Sequence, residues 1–254
     1  MMTNKLQRQR AEIATLLLGL RLSQLNIELE KQYGDTALEA LSFEQRLLIA
    51  LQEVAKDRKT RRLQNLIKRS GMKVIEAAAR LDDIIYTPAR GLNRPLMEQL
   101  ITCDWMTREN PASLIISGAT GVGKTWLAGA FAHEACSLGM SVMFIKTSRL
   151  LNELQAARAN GTLEKKFQQI AKVKLLVLDD MIMAPMTETN CSDLLDIIND
   201  RYRINPTIIT SQFPVTSWHE LMIKSAAVDG LLDRLLHSSY LIEIKGGSMR
   251  ETVS

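Results

Sequence analysis

An apolar run, Leu114-Ile115-Ile116, leads into Gly118-Ala119-Thr120-Gly121-Val122-Gly123-Lys124-Thr125, and the residues from Trp126 to Cys136 then follow a helical pattern. A buried strand that turns through glycines into a helix constrains the fold more than any other feature, because it requires a βα unit and a parallel sheet around it. The glycines let backbone amides approach phosphate oxygens, and the helix start adds orphan N–H groups and the positive end of its dipole. The full G-x-x-x-x-G-K-[ST] pattern therefore reads as a nucleotide cradle formed by Gly118, Ala119, Thr120, Gly121, Val122, Gly123, Lys124, Thr125 and Trp126. Lys124 is expected to reach the β- and γ-phosphates, and the Thr125 hydroxyl to ligate Mg²⁺.

Further along, Leu175-Leu176-Val177-Leu178-Asp179-Asp180 is an apolar strand ending in two acids. Taken by itself this pattern is weak, since buried strands often end in Asp at turns. Paired with the glycine loop it becomes the second half of a metal site, because both would emerge at the carboxyl ends of parallel strands. Asp179 is expected to hold Mg²⁺ directly or through water, and Asp180 to orient and activate the water that attacks the γ-phosphate. Positioning and charge stabilisation would lower the barrier.

From Ser113 onward, short apolar runs alternate with amphipathic segments: Leu114 to Ile116, Val142 to Ile145, Val173 to Leu178, Thr207 to Ile209 and Tyr240 to Ile244. This is the pattern of repeated βαβ units. The first seventy residues differ. Apolar residues recur there at helical spacing, at Ile13, Leu17 and Leu20 and at Leu22, Leu25 and Leu29, without β-type alternation. Pro88, Gly91 and Pro95 interrupt the pattern after Gly71. The division expected is a helical module over 1–72 and an α/β domain over 73–254.

The chain's formal net charge is +4, too small to mark a nucleic-acid binder, but its distribution is uneven. Residues 1–90 hold 16 basic and 11 acidic side chains. Within them, Lys56, Arg58, Lys59, Arg61, Arg62, Lys68, Arg69 and Lys73 face Asp57 alone, a local charge of +7. Ser42-Phe43-Glu44-Gln45 reads as a capping box, and Phe43, Leu47, Leu51 and Val54 form one apolar stripe. A helix running from there to Ser70-Gly71 is about 28 residues, or roughly 40 Å, long. Its second half would be a cationic rod, able to track a phosphate backbone through Lys56, Arg58, Lys59, Arg61, Arg62, Lys68 and Arg69 without reading bases. A solvated helix face is the plainer alternative.

Other classes are disfavoured. With 46% hydrophobic and 24% charged positions the chain has the composition of a folded soluble protein. Cys103, Cys136 and Cys191 are widely spaced and form neither a disulfide framework nor a zinc pattern, which fits a reducing cytoplasm. The N-terminus is not read as a secretion signal, and no apolar stretch approaches the ~18 residues that a membrane helix needs, so no membrane partner is expected.

The glycine loop, LLVLDD, DDMIMAP at 179–185, IINDRY at 197–202, TIITSQFPVTSWHEL at 207–221, LLDRLLH at 231–237 and IEIKGGSMR at 242–250 occur in an order that resembles the AAA+ ATPases of the initiator and helicase-loader group. More narrowly, the chain resembles the IstB-type transposition helpers, over most of residues 85–250 and more loosely into LSFEQRLLIAL. The resemblance implies an α/β fold: a P-loop αβα sandwich with a five-stranded parallel sheet, preceded by a small all-helical domain. It places Thr210-Ser211-Gln212 at the end of a sensor strand between the two phosphate-binding strands; where many relatives hold the attacking water with an Asn, this chain offers Gln212 or the hydroxyls of Thr210 and Ser211. Asp180 stands where the wider superfamily commonly has Glu, which leaves slow hydrolysis open. Arg234 fits an arginine finger completing a neighbouring subunit's site, with Arg201 as the competing candidate. Arg250 fits a second sensor. In the loader group the segment 148–170 lines a DNA-binding surface, which here would use Arg149, Arg158, Lys165 and Lys166. His219 is read as packing or capping, and the Trp and Met residues as core or interface.

The function implied is an ATP-hydrolysing, duplex-DNA-binding regulator of transposition that uses ATP and Mg²⁺, oligomerises with its own copies as a ring or spiral, and recruits or activates a partner transposase. The nearest alternative is a replicative helicase loader preferring single-stranded DNA. A P-loop small-molecule kinase and a nucleotide-assembled scaffold are the readings from other classes.

Overall fold

The computed structural model describes residues 2–38, 40–182 and 186–249. The chain divides into two compact units, Met1–Gln64 and Asn65–Ser254. That division falls within one long helix, and the expected division between residues 72 and 73 lies just beyond the same helix's end.

The first unit is helical, as its periodicity implies: α1 (Met2–Gly19), α2 (Ser23–Gln32) and the greater part of α3 (Phe43–Ser70). The capping box forms. The Ser42 amide donates to Gln45 Oε1 at 2.9 Å, and the Gln45 amide donates to Ser42 Oγ at 3.3 Å. These two bonds satisfy donors that the first turn leaves free. At its other end α3 stops at Gly71, whose φ of +83° suits glycine and whose missing Cβ would stand 2.7 Å from the Phe144 carbonyl oxygen. The apolar stripe is only partly covered: Val54 is buried, whereas Phe43 is 65% exposed. Three helices in a unit this small do not enclose it.

The second unit takes in the end of α3, continues with α4 (Val74–Ala78), α5 (Arg94–Ile101) and α6 (Asp104–Thr107), then enters the alternating part of the chain. There β1 (Ser113–Gly118), α7 (Lys124–Ser137), β2 (Val142–Lys146), α8 (Thr147–Ala159), α9 (Leu163–Lys172), β3 (Leu175–Met181) and α10 (Glu188–Arg201) follow one another. The chain continues through β4 (Thr207–Ser211), α11 (Trp218–Leu221), α12 (Ala226–His237) and β5 (Ser239–Ile244). All five expected strands are present. They pair in parallel in the order β2-β3-β4-β1-β5.

Register sorts the strand residues onto two faces. Ile115, Ile209 and Leu178 lie side by side and belong to one core cluster with Leu150 and Leu154 of α8, Ile170 of α9, Leu194 and Ile197 of α10, and Leu231 and Leu235 of α12. Helix α7 packs on the sheet with Leu127, Ala128, Phe131 and Ala135 buried. This helix has little polar face because it is covered from outside as well. The Cβ that Gly129 lacks would lie 2.7 Å from Glu76 Cα, so α4 sits against the α7 backbone. No helix among the described residues is long and apolar enough to cross a membrane.

Candidate functional site

The strand order brings the carboxyl ends of β1, β4 and β3 together, and every chemically distinctive residue of the second unit's upper edge gathers there. Gly118 ends β1 with φ +146°, and a Cβ on it would clash with the Ile244 carbonyl oxygen. Gly123 caps α7 in the left-handed region, at φ +99°. Between them the loop closes around Lys124, which is buried and donates from Nζ to the carbonyls of Gly118 and Ala119, each at 2.8 Å. Trp126 is half-buried in the first turn of α7.

The two acids sit across from this loop in different environments. Thr125 Oγ1 donates to Asp179 Oδ1 at 2.9 Å, and Thr210 Oγ1 donates to the same oxygen at 2.7 Å. Burial pushes the Asp179 carboxyl above its ordinary value; the Thr210 hydrogen bond opposes this, Asp180 adds to it, and the Thr125 bond opposes it again. A buried carboxylate supported by hydroxyls and repelled by a neighbouring acid is short of positive charge. One hard carboxylate and one hydroxyl beside a phosphate cradle is the donor set that Mg²⁺ takes when it keeps waters and bridges to phosphate oxygens.

Asp180 is turned away from this pair. The β3–β4 register breaks between Leu178 and Met181, and Asp180 adopts φ +56° while Ile182 adopts φ +65°. Asp tolerates the left-handed region, but a β-branched residue there is a true outlier, so the backbone is strained at Ile182, just past Met181. The Asp180 amide donates to Thr210 Oγ1 at 2.9 Å, and its carboxylate pairs with Lys146 Nζ at 2.9 Å.

The sensor triplet separates by environment. Thr210 is wholly buried and committed to Asp179 and Asp180. Ser211 is buried too, its Oγ accepting from the Phe213 amide. Gln212 Oε1 accepts from Thr120 Oγ1 at 3.0 Å, so of the three it is Gln212 that reaches the phosphate loop.

The two arginine-finger candidates also separate. Arg201 is 1% exposed and donates to the carbonyls of Ile170, Val173 and Pro206 and to Thr207 Oγ1. Burial pushes it down to about 10. It is a clamp tying α9, α10 and β4 together, and it is not available to a neighbouring subunit. Arg234 is half exposed on α12, with Asp233 at 3.5 Å, Asn199 Oδ1 at 3.2 Å and the Tyr202 ring at 5.3 Å. It borders a small cavity with Ser113, Thr207 and Ser238, beside the amino ends of β1, β4 and β5, opposite the phosphate loop. Arg250 lies outside the described residues, as do residues 183–185 of the DDMIMAP stretch. Of the two roles expected for His219, packing or capping, core packing falls to the adjacent Trp218, which is buried; His219 is 65% exposed and 3.8 Å from Asp229.

All seven basic residues expected on the cationic rod, Lys56, Arg58, Lys59, Arg61, Arg62, Lys68 and Arg69, are exposed on α3. Of these, Arg61 pairs with Asp57 at 2.9 Å and Lys56 stands 3.8 Å from Glu53. On α8 and α9 the basic residues are more fully engaged. Arg149 and Lys166 both hold Glu153, at 3.0 and 2.7 Å, and Arg158 holds Asp193, whereas Lys165 forms no ion pair among the described residues.

Three participants have no counterpart in the sequence reading. Lys146 and Thr147 stand where β2 ends; Lys146 lies opposite Asp179 in the sheet register, and Thr147 Oγ1 donates to the Asp179 carbonyl at 3.2 Å. Strand pairing was the signal that would have found them. Arg90, from the irregular stretch before α5, is buried and donates to the Val122 carbonyl at 3.1 Å, inside the glycine loop.

The family model described as IstB-like ATP binding protein matches residues 15–254. An insertion-sequence ATP-binding protein from Sinorhizobium fredii is 41% identical over 169 residues, 66% of this chain and 68% of that protein. One from Pseudomonas fluorescens is 38% identical over 195 residues, 77% of this chain and 83% of that protein. Among solved structures, DnaI superposes with a TM-score of 0.58 at 23% identity, over 69% of this chain and 95% of its own. The DnaC helicase loader superposes with a TM-score of 0.55 at 22% identity, over 68% of this chain and 100% of its own. These structural likenesses establish the fold, a five-stranded parallel sheet flanked by helices.

Proposed function

The chain belongs to the IstB-like ATP-binding proteins, and from that premise we propose that it is an ATP-hydrolysing regulator of transposition, which assembles on duplex DNA, selects target DNA, and recruits or activates a partner transposase. The observation that carries the hydrolytic part is the hydroxyl and carboxylate chain Thr125–Asp179–Thr210–Asp180, which links the glycine loop to a second acid aimed elsewhere by the bulge in β3.

In this reading Lys124 exchanges the Gly118 and Ala119 carbonyls for phosphate oxygens. Thr125 and Asp179 hold Mg²⁺, which when bound neutralises charge on the phosphates. Asp180 orients the attacking water and accepts its proton once Lys146 releases the carboxylate, and Gln212 monitors the loop through Thr120. Arg234, on the far edge of the sheet, serves a neighbouring copy's site, so that nucleotide state controls assembly. The exposed basic face of α3 supplies salt-sensitive, weakly specific DNA contacts, with the segment 148–170 as a second candidate surface. Transposase partnership rests on the insertion-sequence relatives. The free, buried cysteines agree with a reducing cytoplasm.

The likeness to the DnaC helicase loader favours one other reading, a loader that prefers single strands. ATP turnover and gel-filtration mass measured with no DNA, single-stranded DNA and duplex DNA separate the two. Duplex-stimulated turnover with ATP-dependent assembly supports the transposition regulator. Single-strand preference supports the loader, and indifference to both removes the DNA-dependent function.

A further inference from the structure

The outer wall of the glycine loop is held by two segments far away in sequence. After β5 the chain turns through Lys245 and Gly246 and passes the loop, where the Met249 amide donates to the Gly121 carbonyl at 2.9 Å. Ser248 lies so close that a Cβ on Gly121 would be 2.5 Å from its Oγ. On the next peptide, one Arg90 guanidinium nitrogen donates to the Val122 carbonyl at 3.1 Å, and the other donates to the Ile85 carbonyl at 3.1 Å. The two holders are themselves joined, because the Lys245 amide donates to the Arg90 carbonyl at 2.9 Å.

We infer that Arg90 and the Met249 amide are positioning groups for phosphate binding, which set the direction of two consecutive loop peptides from behind. The peptides among the described residues are trans, and a trans peptide points its carbonyl and its N–H in opposite directions. Fixing the Gly121 carbonyl outward therefore turns the Val122 N–H inward, and fixing the Val122 carbonyl outward turns the Gly123 N–H inward. Inward is the side on which Lys124 Nζ now sits on the Gly118 and Ala119 carbonyls. Both glycines occupy positive φ, +88° at Gly121 and +99° at Gly123, so the loop peptides have unusual freedom to turn over unless something outside restrains them. Preorganised donors avoid a reorganisation cost when the anion arrives. The C-terminal strap thus acts on phosphate through the loop's backbone, without needing a side chain of its own in the site.

The inference rests on the loop being a nucleotide site, and the test separates the two. Met249→Pro removes the donating N–H, whereas Met249→Ala keeps it; both lie near the chain end, away from the core. Displacement of a fluorescent ATP analogue from the full-length protein is measured with ATP and with inorganic triphosphate. Met249→Pro is expected to raise the dissociation constants of both ligands by the same factor, about tenfold, with Met249→Ala and the wild type indistinguishable. Arg90→Lys, which keeps the charge but loses the two-pronged donation, is expected to weaken both by a similar factor. If Met249→Pro weakens ATP but not triphosphate, the strap contacts the nucleoside end and the inference is wrong; it is equally wrong if Met249→Pro binds both as the wild type does. Failure of the wild type to bind either ligand overturns the nucleotide site itself.

Discussion

Lys146 Nζ and Asp180 Oδ2 are 2.9 Å apart across the ends of β2 and β3, so the acid assigned to activate water is held by a cation of its own subunit. An ion pair with its lysine half exposed is worth up to about 1 kcal/mol, enough to restrain the acid without locking it. Lys146→Met should therefore raise DNA-independent ATP turnover by about threefold and compress the stimulation given by DNA. A variant whose basal turnover falls would show that Lys146 serves the reaction directly.

Arg201 and Arg234 should respond oppositely to removal. Arg201→Met strips donors from two buried carbonyls and one part-buried carbonyl and should cost about 3 kcal/mol in denaturant unfolding. Arg234→Ala should change stability by less than about 1 kcal/mol and leave ATP binding intact, yet abolish stimulated turnover. Mixing it with Lys124→Ala subunits, whose own sites are disabled but whose fingers are intact, should restore part of that turnover. Absence of any restoration would place Arg234's action within its own subunit.

Duplex binding should depend on α3 more than on α8 and α9. Replacing Arg58 and Lys59 with Ala should lower the slope of log affinity against log salt by about 2, whereas replacing Arg149 and Lys166, already shared with Glu153, should lower it by less than 1. Equal slopes for both pairs would refute the ranking.

His133 offers a pH test of the α7 packing. It is buried, its Nδ1 has no partner among the described residues, and burial, with Arg80 adding to it, pushes the imidazole below its ordinary 6.5. The unfolded chain then binds more protons than the folded one as pH falls below 6.5, so stability is full above that value and declines beneath it, by at most about 1.4 kcal/mol per pH unit for one proton. Denaturant melts between pH 5 and 8 should show this decline, and His133→Gln should flatten it. An unchanged slope in the variant would assign the decline to other groups.

The parts of the site that a reader of the sequence can find are those encoded within one short segment. The glycine loop, the Asp179-Asp180 strand end, the Ser42–Gln45 capping box and the Gly71 helix stop each depend on neighbours a few residues away. What was not legible depends on pairing between segments. Asp200-Arg201 and Asp233-Arg234 look alike as dipeptides, and only packing buries the first and leaves the second at the surface. Arg90 sits in a stretch without periodicity, 32 residues before the carbonyl it holds. His219 lies next to Trp218 in a short helix, where one side chain fills the core and the other is left in water.

The position of β1 in the sheet has a consequence for how the protein is made. Its two hydrogen-bonded neighbours, β4 and β5, both follow it in sequence, beginning at Thr207 and Ser239. A chain emerging from the ribosome therefore carries Leu114-Ile115-Ile116 as an unpaired apolar strand until some ninety more residues have been synthesised, an interval in which transient exposure favours chaperone capture or aggregation. The segment that gives the loop its chemistry is also the nascent chain's longest-waiting edge, so slow translation before β4 should lower the yield of folded protein.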